Sequence, residues 1–263
     1  MLAEIALWLS TPAARMTQRL GLVSESIALW ARGRRQHQAW AEHHARCRAL
    51  IEGVVAQLPR HRTVAVLGSG LLRDISVPRL RSRFERVLLI DAVHLPQIRL
   101  AAAFQPNVTL VTRDLSGVMG WLSGENNSRI DPVADLVADE TLDLVISANL
   151  MSQFGWPVAD WLEDNPARAA ALPPDLPARC IAWHRDDLAR FAGRVVLLTD
   201  VAMVERDRSG AVIDRFDLMR GTYLPPPDES WDWQVAPFGE AAPDRETVHR
   251  VGGWRDFGLA SKR

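Results

Sequence analysis

The chain of 263 residues is 48% apolar and 24% charged, and at this size it can bury a full core without disulfides or metals. A formal net charge of −1 sets up no field that would draw nucleic acid or an anionic membrane, so neither partner is expected. Two cysteines far apart, Cys47 and Cys180, build neither a disulfide framework nor a zinc site, and a reducing, cytoplasmic setting with no metal is expected. No stretch reaches the roughly 18–20 apolar residues of a spanning helix, and the N-terminus lacks the basic region and cleavage site of a secretory leader.

Residues 1–60 read as a helical extension. Thr11-Pro12 has the form of an N-cap followed by proline at the first helical position. From Ser24 to Leu58 apolar positions recur at helical spacing, through Ile27, Trp30, Ala31, Trp40, Cys47, Ile51, Val54 and Val55. Arg32, Arg34 and Arg35 read as a solvated helix face. These helices also offer a surface for a homodimer. Pro59 ends the pattern.

Residues 61–263 change period. Five runs are almost unbroken apolar: Thr63–Leu67, Val87–Ile90, Val108–Val111, Leu142–Ser147 and Arg194–Thr199. Unbroken runs suit strands buried on both faces of a parallel sheet. The segments between them, such as His94–Phe104 and Cys180–Ala192, have the length of crossover helices. Asn165–Arg179, rich in proline and alanine, reads as a loop able to cover a site. Trp231–Val235 and Thr247–Val251 alternate like the strands of a terminal antiparallel hairpin. The fold class is therefore α/β, a Rossmann-like doubly wound sheet with an N-terminal helical extension.

The chemistry lies where these runs end, because open α/β sheets bind ligands at the carboxyl ends of their strands. Gly68-Ser69-Gly70 closes the first run. Glycines there allow a tight turn and close approach of a ligand, and a following helix would offer free N–H groups. Asp91 closes the second run, and a carboxylate there can accept bonds from the vicinal hydroxyls of a ribose. Asp114, beside Leu115, follows the third run and can accept from an exocyclic amine. Asn149 follows the fourth. A nicotinamide site fits less well, because the third glycine of its fingerprint would fall on Arg73.

The ordered segments VAVLGSGLL, LLIDA, VTRDLSG and LDLVISANLMSQF resemble the motifs of the class I S-adenosylmethionine-dependent methyltransferases, over about Thr63 to Asp200. The resemblance implies a mostly parallel sheet of seven strands whose last hairpin is antiparallel. It implies S-adenosylmethionine as cofactor and a small, uncharged or aromatic molecule as methyl acceptor. It implies that Gly68, Ser69 and Gly70 hold the methionine part, Asp91 the ribose, and Asp114 with Leu115 the adenine. Asn149 would lie beside the sulfonium. The chain departs from the pattern at Val66, where the family carries an acid, and at Leu72, where it carries a glycine; Asp74 is a candidate to replace the acid. The loop after the fourth run lacks the Asn/Asp-Pro-Pro-aromatic signature of amino-group methylation on bases or glutamine. No residue is assigned as catalytic. His184, His94 and His249 are candidate bases, and Trp156, Trp161 and Trp183 candidate walls of an acceptor pocket. The departures leave open a non-catalytic relative that serves as a binding or scaffold protein.

Overall fold

The computed structural model describes residues 2–260. It opens with four helices: α1 (Leu2–Ser10), α2 (Arg15–Arg19), α3 (Leu22–Arg35) and α4 (Ala41–Val55). The expected N-cap at Thr11 is not formed. A helix already occupies residues 2–10, and the Thr11 hydroxyl donates to the Leu7 carbonyl at that helix's C-terminal end. The long stripe from Ser24 to Leu58 is split by a turn at residues 36–40. The split lets each half bury its stripe on a different surface. Val23 and Ile27 of α3 pack on Val93, Leu95 and Ile98, whereas Cys47, Leu50, Ile51 and Val54 of α4 pack on the central sheet.

The sheet follows: β1 (Thr63–Leu67), β2 (Arg86–Asp91), β3 (Val108–Thr112), β4 (Leu142–Ala148), β5 (Arg194–Asp207), β6 (Val212–Asp217), β7 (Glu229–Ala236) and β8 (Arg245–Trp254). Between the strands lie α5 (Val77–Arg83), α6 (Pro96–Ala103), α7 (Met119–Ser123), α8 (Ala134–Val137), α9 (Gly155–Asp164), α10 (Pro166–Ala169) and α11 (Leu176–Leu188). The main path runs β3-β2-β1-β4-β5-β8-β7, with β6 pairing β5 off that path. β1 through β5 are mutually parallel, and β8 is antiparallel to both β5 and β7. Every residue of β1 and β4 is buried, and exposure grows toward the β3 edge. That gradient is why the central runs read as unbroken apolar sequence.

Seven strands form the main path as expected, and an eighth is added beside it, because β5 continues well past Thr199 and folds back into β6, whose residues are all exposed. Such a strand carries no core-facing alternation to betray it. Residues 165–179 are not a loop over the site. They contain α10 and the start of α11, and Leu172 and Leu176 anchor them in a cluster with Leu20, Leu122, Val158 and Trp161. No helix among the described residues is long and apolar enough to cross a membrane.

Candidate functional site

Strand order reverses between β1 and β4. At the carboxyl ends of these strands opens a cavity of about 760 Å³, in the range that holds a cofactor-sized ligand. Gly68, Ser69, Gly70, Asp91, Asp114, Leu115 and Asn149 all line it. α2 and α3 form its outer wall through Arg19, Leu22, Ser26 and Leu29, and α9 contributes Trp156 and Trp161.

The glycine loop is set by backbone need. Gly68 and Gly70 have φ of +75° and +47°, and a Cβ on Gly68 would lie 2.7 Å from the Leu150 Cβ. The expected helix does not follow directly. Residues 71–76 are irregular, Leu72 itself takes φ +59°, and α5 begins only at Val77. The loop therefore offers its ligand single amides and close approach, without a helix N-terminus.

Asp91 fixes this loop. Its Oδ2 accepts from the Gly70 N–H at 2.7 Å and its Oδ1 from the Val93 N–H at 3.1 Å. Burial pushes its pKa up, against the pull of these two donors. A carboxylate has about four acceptor positions, so room remains for hydroxyl donors from the cavity. Asp114 is more heavily committed. It accepts from the Ser116 N–H and hydroxyl and, at 2.9 Å, from the Met119 N–H, which ties down the start of α7. Leu115 is buried beside it. Asn149 has φ +50° and is 6% exposed. Its Nδ2 donates to Asp74 Oδ2 at 2.9 Å, while its buried Oδ1 has no partner among the described residues.

Beneath Asn149 lies a polar floor that the sequence reading did not assemble. α4 brings His43, His44 and Cys47; the loop after β1 brings Asp74; β5, β7 and β8 bring Asp200, Trp231, Trp233 and His249. The Trp231 indole N–H points at His43 Nδ1 at 3.1 Å. An indole N–H only donates, so Nδ1 carries the lone pair and the neutral ring keeps its proton on Nε2. That edge faces Asp74 Oδ1 at 3.3 Å, with His44 Nε2 at 3.6 Å from the same oxygen. Burial raises the Asp74 pKa, but the His43 N–H and the other donors around it outweigh burial, and the net shift is downward. Burial lowers His44 to about 4 and raises the Cys47 thiol, so both are neutral near pH 7. His43, Cys47 and Asp74 hold ligand atoms within 4.8 Å of one another, as a metal site would. The tautomer set by Trp231 offers that point a proton instead of a lone pair, which does not suit a cation.

The three candidate histidines part ways. His184 is buried against the Ser147 hydroxyl at 2.9 Å, and burial lowers it to about 3. His94 is buried, with Nε2 bonded to the Val111 carbonyl at 3.2 Å. Neither lines the cavity. His249 does, and its Nδ1 lies 2.9 Å from Asp200 Oδ2. Of the three tryptophans, Trp183 stays outside the cavity under the Arg129 guanidinium; Trp40 and Trp233, not singled out as site residues, line it instead. Of the floor residues the sequence singles out Asp74 and His249; Asp200, closing a strand run like Asp91, carries a further legible signal.

No family model and no curated protein matches the chain. Among solved structures it is similar to a DhpI–SAM–HEP complex, at 14% identity over 91% of this chain and 99% of that one, with a TM-score of 0.36. It is similar to a SAM-dependent methyltransferase of the DUF858 family from Leishmania major, at 12% identity over 95% and 81%, TM-score 0.36. A complex of the Haloferax volcanii Trm112 activator with a putative methyltransferase gives 13% over 84% and 92%, TM-score 0.34. Likenesses with TM-scores below 0.5 are loose, and the fold reading rests on this chain's own strand order: five parallel strands, a switch point between β1 and β4, and an antiparallel closing hairpin.

The chain has a Rossmann-like, mostly parallel α/β fold closed by an antiparallel hairpin. Val66 is fully buried in β1, and Asp74 lines the cavity.

Proposed function

We propose that the cavity binds S-adenosylmethionine and that the protein transfers its methyl group to a small molecule. The observation that supports this best is the convergence of Gly68–Gly70, Asp91, Asp114 and Asn149, from the ends of four strands, on one cavity. Bound there, the cofactor would supply an electrophilic methyl group on sulfur. Asp91 would accept the ribose hydroxyls while it holds the Gly70 amide. Leu115 would pack beside the adenine, with Asp114 accepting from its amine. Asp74, held as a carboxylate and supported by Asn149, would take the ammonium end in place of the acid missing at Val66. The partly enclosed cavity would exclude water and align the acceptor, the two contributions a methyl transfer asks of its protein.

Calorimetric titration with S-adenosylmethionine and S-adenosylhomocysteine tests this reading, with Asp91→Ala as control. Micromolar binding lost in the variant, with folding intact, supports it. No affinity for either compound at millimolar concentration gives the protein to the scaffold reading, which the acid missing at Val66 favours. A homodimer would form through the N-terminal helices, where α1 exposes Leu2, Ile5, Trp8 and Leu9; sedimentation with Trp8→Glu tests it.

A further inference from the structure

We propose that Asp200 and His249 form the proton-accepting pair of the site, and that the methyl acceptor is an alkyl amine that enters as its ammonium. This rests on the reading of the cavity as an S-adenosylmethionine site.

The pair is built from two strands. Asp200 lies in β5 and His249 in β8, antiparallel neighbours. The carboxylate can only accept, so the 2.9 Å contact places a ring proton on Nδ1; in the neutral ring Nε2 then keeps its lone pair. This is the opposite tautomer to His43, and the opposite chemistry: His43 presents a proton, His249 a proton acceptor. Nε2 of His249 has no hydrogen-bond partner among the described residues, and the ring is partly exposed on the cavity wall. Its ring packs nearly perpendicular to Trp233 at 5.9 Å, and Trp233 in turn stacks on His43 at 4.0 Å. A nucleophile or base oriented by a third group is the recurrent arrangement of activated proton transfer.

The surroundings choose the acceptor. Asp200 and Asn149 are 5% and 6% exposed, both line the cavity, and each has a buried side-chain oxygen with no donor: Asp200 Oδ1 and Asn149 Oδ1. Cys47 joins them, since it sits within the electrostatic reach of both Asp74 and Asp200 and bonds Asn149. Buried oxygens that lack donors are costly unless a ligand supplies N–H groups. The Asp200 carboxylate on the cavity wall favours a cation that can donate to it. An ammonium meets all of these demands, and it is not itself a nucleophile. It gives one N–H proton to His249 Nε2, which exposes its lone pair. The lone pair then forms the N–CH₃ bond as the C–S bond breaks and its electron pair stays on sulfur. The secondary ammonium and the thioether leave, and His249 returns its proton to solvent.

The test uses the full chain saturated with S-adenosylhomocysteine, titrated with phenethylamine and with phenethyl alcohol, a pair of like shape that differs in charge and donor count. Tryptophan fluorescence reports binding. The amine is expected to bind about ten-fold or more tightly than the alcohol, and Asp200→Asn to remove that preference while S-adenosylhomocysteine affinity stays unchanged. With S-adenosylmethionine, N-methylphenethylamine is expected by mass spectrometry, and His249→Gln is expected to slow its formation about 100-fold or more with amine affinity largely kept. Equal affinity for amine and alcohol, a preference that survives Asp200→Asn, or an unchanged rate in His249→Gln overturns the proposal. Failure of S-adenosylhomocysteine to bind instead removes the cofactor reading, so the two failures are distinct.

Discussion

The two ends of the cavity are built on different principles. At the glycine loop the backbone does the work: Gly70 and Val93 give their N–H groups to Asp91, and Gly68 is there because a side chain would strike Leu150. At the floor, side chains from α4, β5, β7 and β8 hold one another, with Trp231 setting the proton on His43 and Asp200 setting it on His249. The loop end is local in sequence and suits a ligand that many proteins share. The floor is long-range, drawn from α4, β5, β7 and β8. A cofactor site can be made by a turn, whereas an acceptor site needs surfaces from distant elements.

The contrast can be broken at its loop end first. Asp91→Ala removes the acceptor of the Gly70 and Val93 N–H groups, at about 0.5–1.5 kcal/mol for each hydrogen bond, together with the acceptor proposed for the ribose. S-adenosylmethionine affinity is expected to fall about 10- to 100-fold or more by calorimetry. Unchanged affinity would remove Asp91 from the site.

The floor is expected to make the protein sensitive to acid. His44 sits at about 4 and His184, in the neighbouring core, at about 3, both below the ordinary 6.5 because burial disfavours their charged forms. Below pH 6.5 the unfolded chain takes up protons at these rings and the folded chain does not. Stability is therefore full above 6.5 and falls as pH drops toward 4, by up to about 1.4 kcal/mol per pH unit for each ring. Urea unfolding at stepped pH measures the slope, and His184→Gln is expected to reduce it. An equal slope in the variant would sink the assignment.

Trp231→Phe sharpens the comparison from the floor side. It leaves His43 Nδ1 buried without a donor, and the expected loss is about 1–3 kcal/mol in unfolding free energy, with smaller changes in S-adenosylhomocysteine affinity. The smallest effect is expected at Asp74, which joins the two ends. Asp74→Asn is expected to weaken S-adenosylmethionine about ten-fold and leave methylthioadenosine, which lacks the ammonium end, unaffected. Equal weakening of both would make Asp74 a support for the loop alone.

The sequence by itself determined the loop end. Gly68, Gly70, Asp91, Asp114 and Asn149 each follow an unbroken apolar run, and in a parallel sheet every such run delivers its last residue to the same edge. The five parallel strands were legible for the same reason, and the closing hairpin from its alternation. The eighth, β6, was not, since an exposed strand writes no core pattern into the sequence. The floor was decided by tertiary structure. Which histidine lines the cavity depends on where α4, α6, α11 and β8 lie against the sheet, and which nitrogen carries its proton depends on a partner more than a hundred residues away, in the case of His43 and Trp231. Neither distance nor tautomer is written in local spacing, because both are set only when the core has packed.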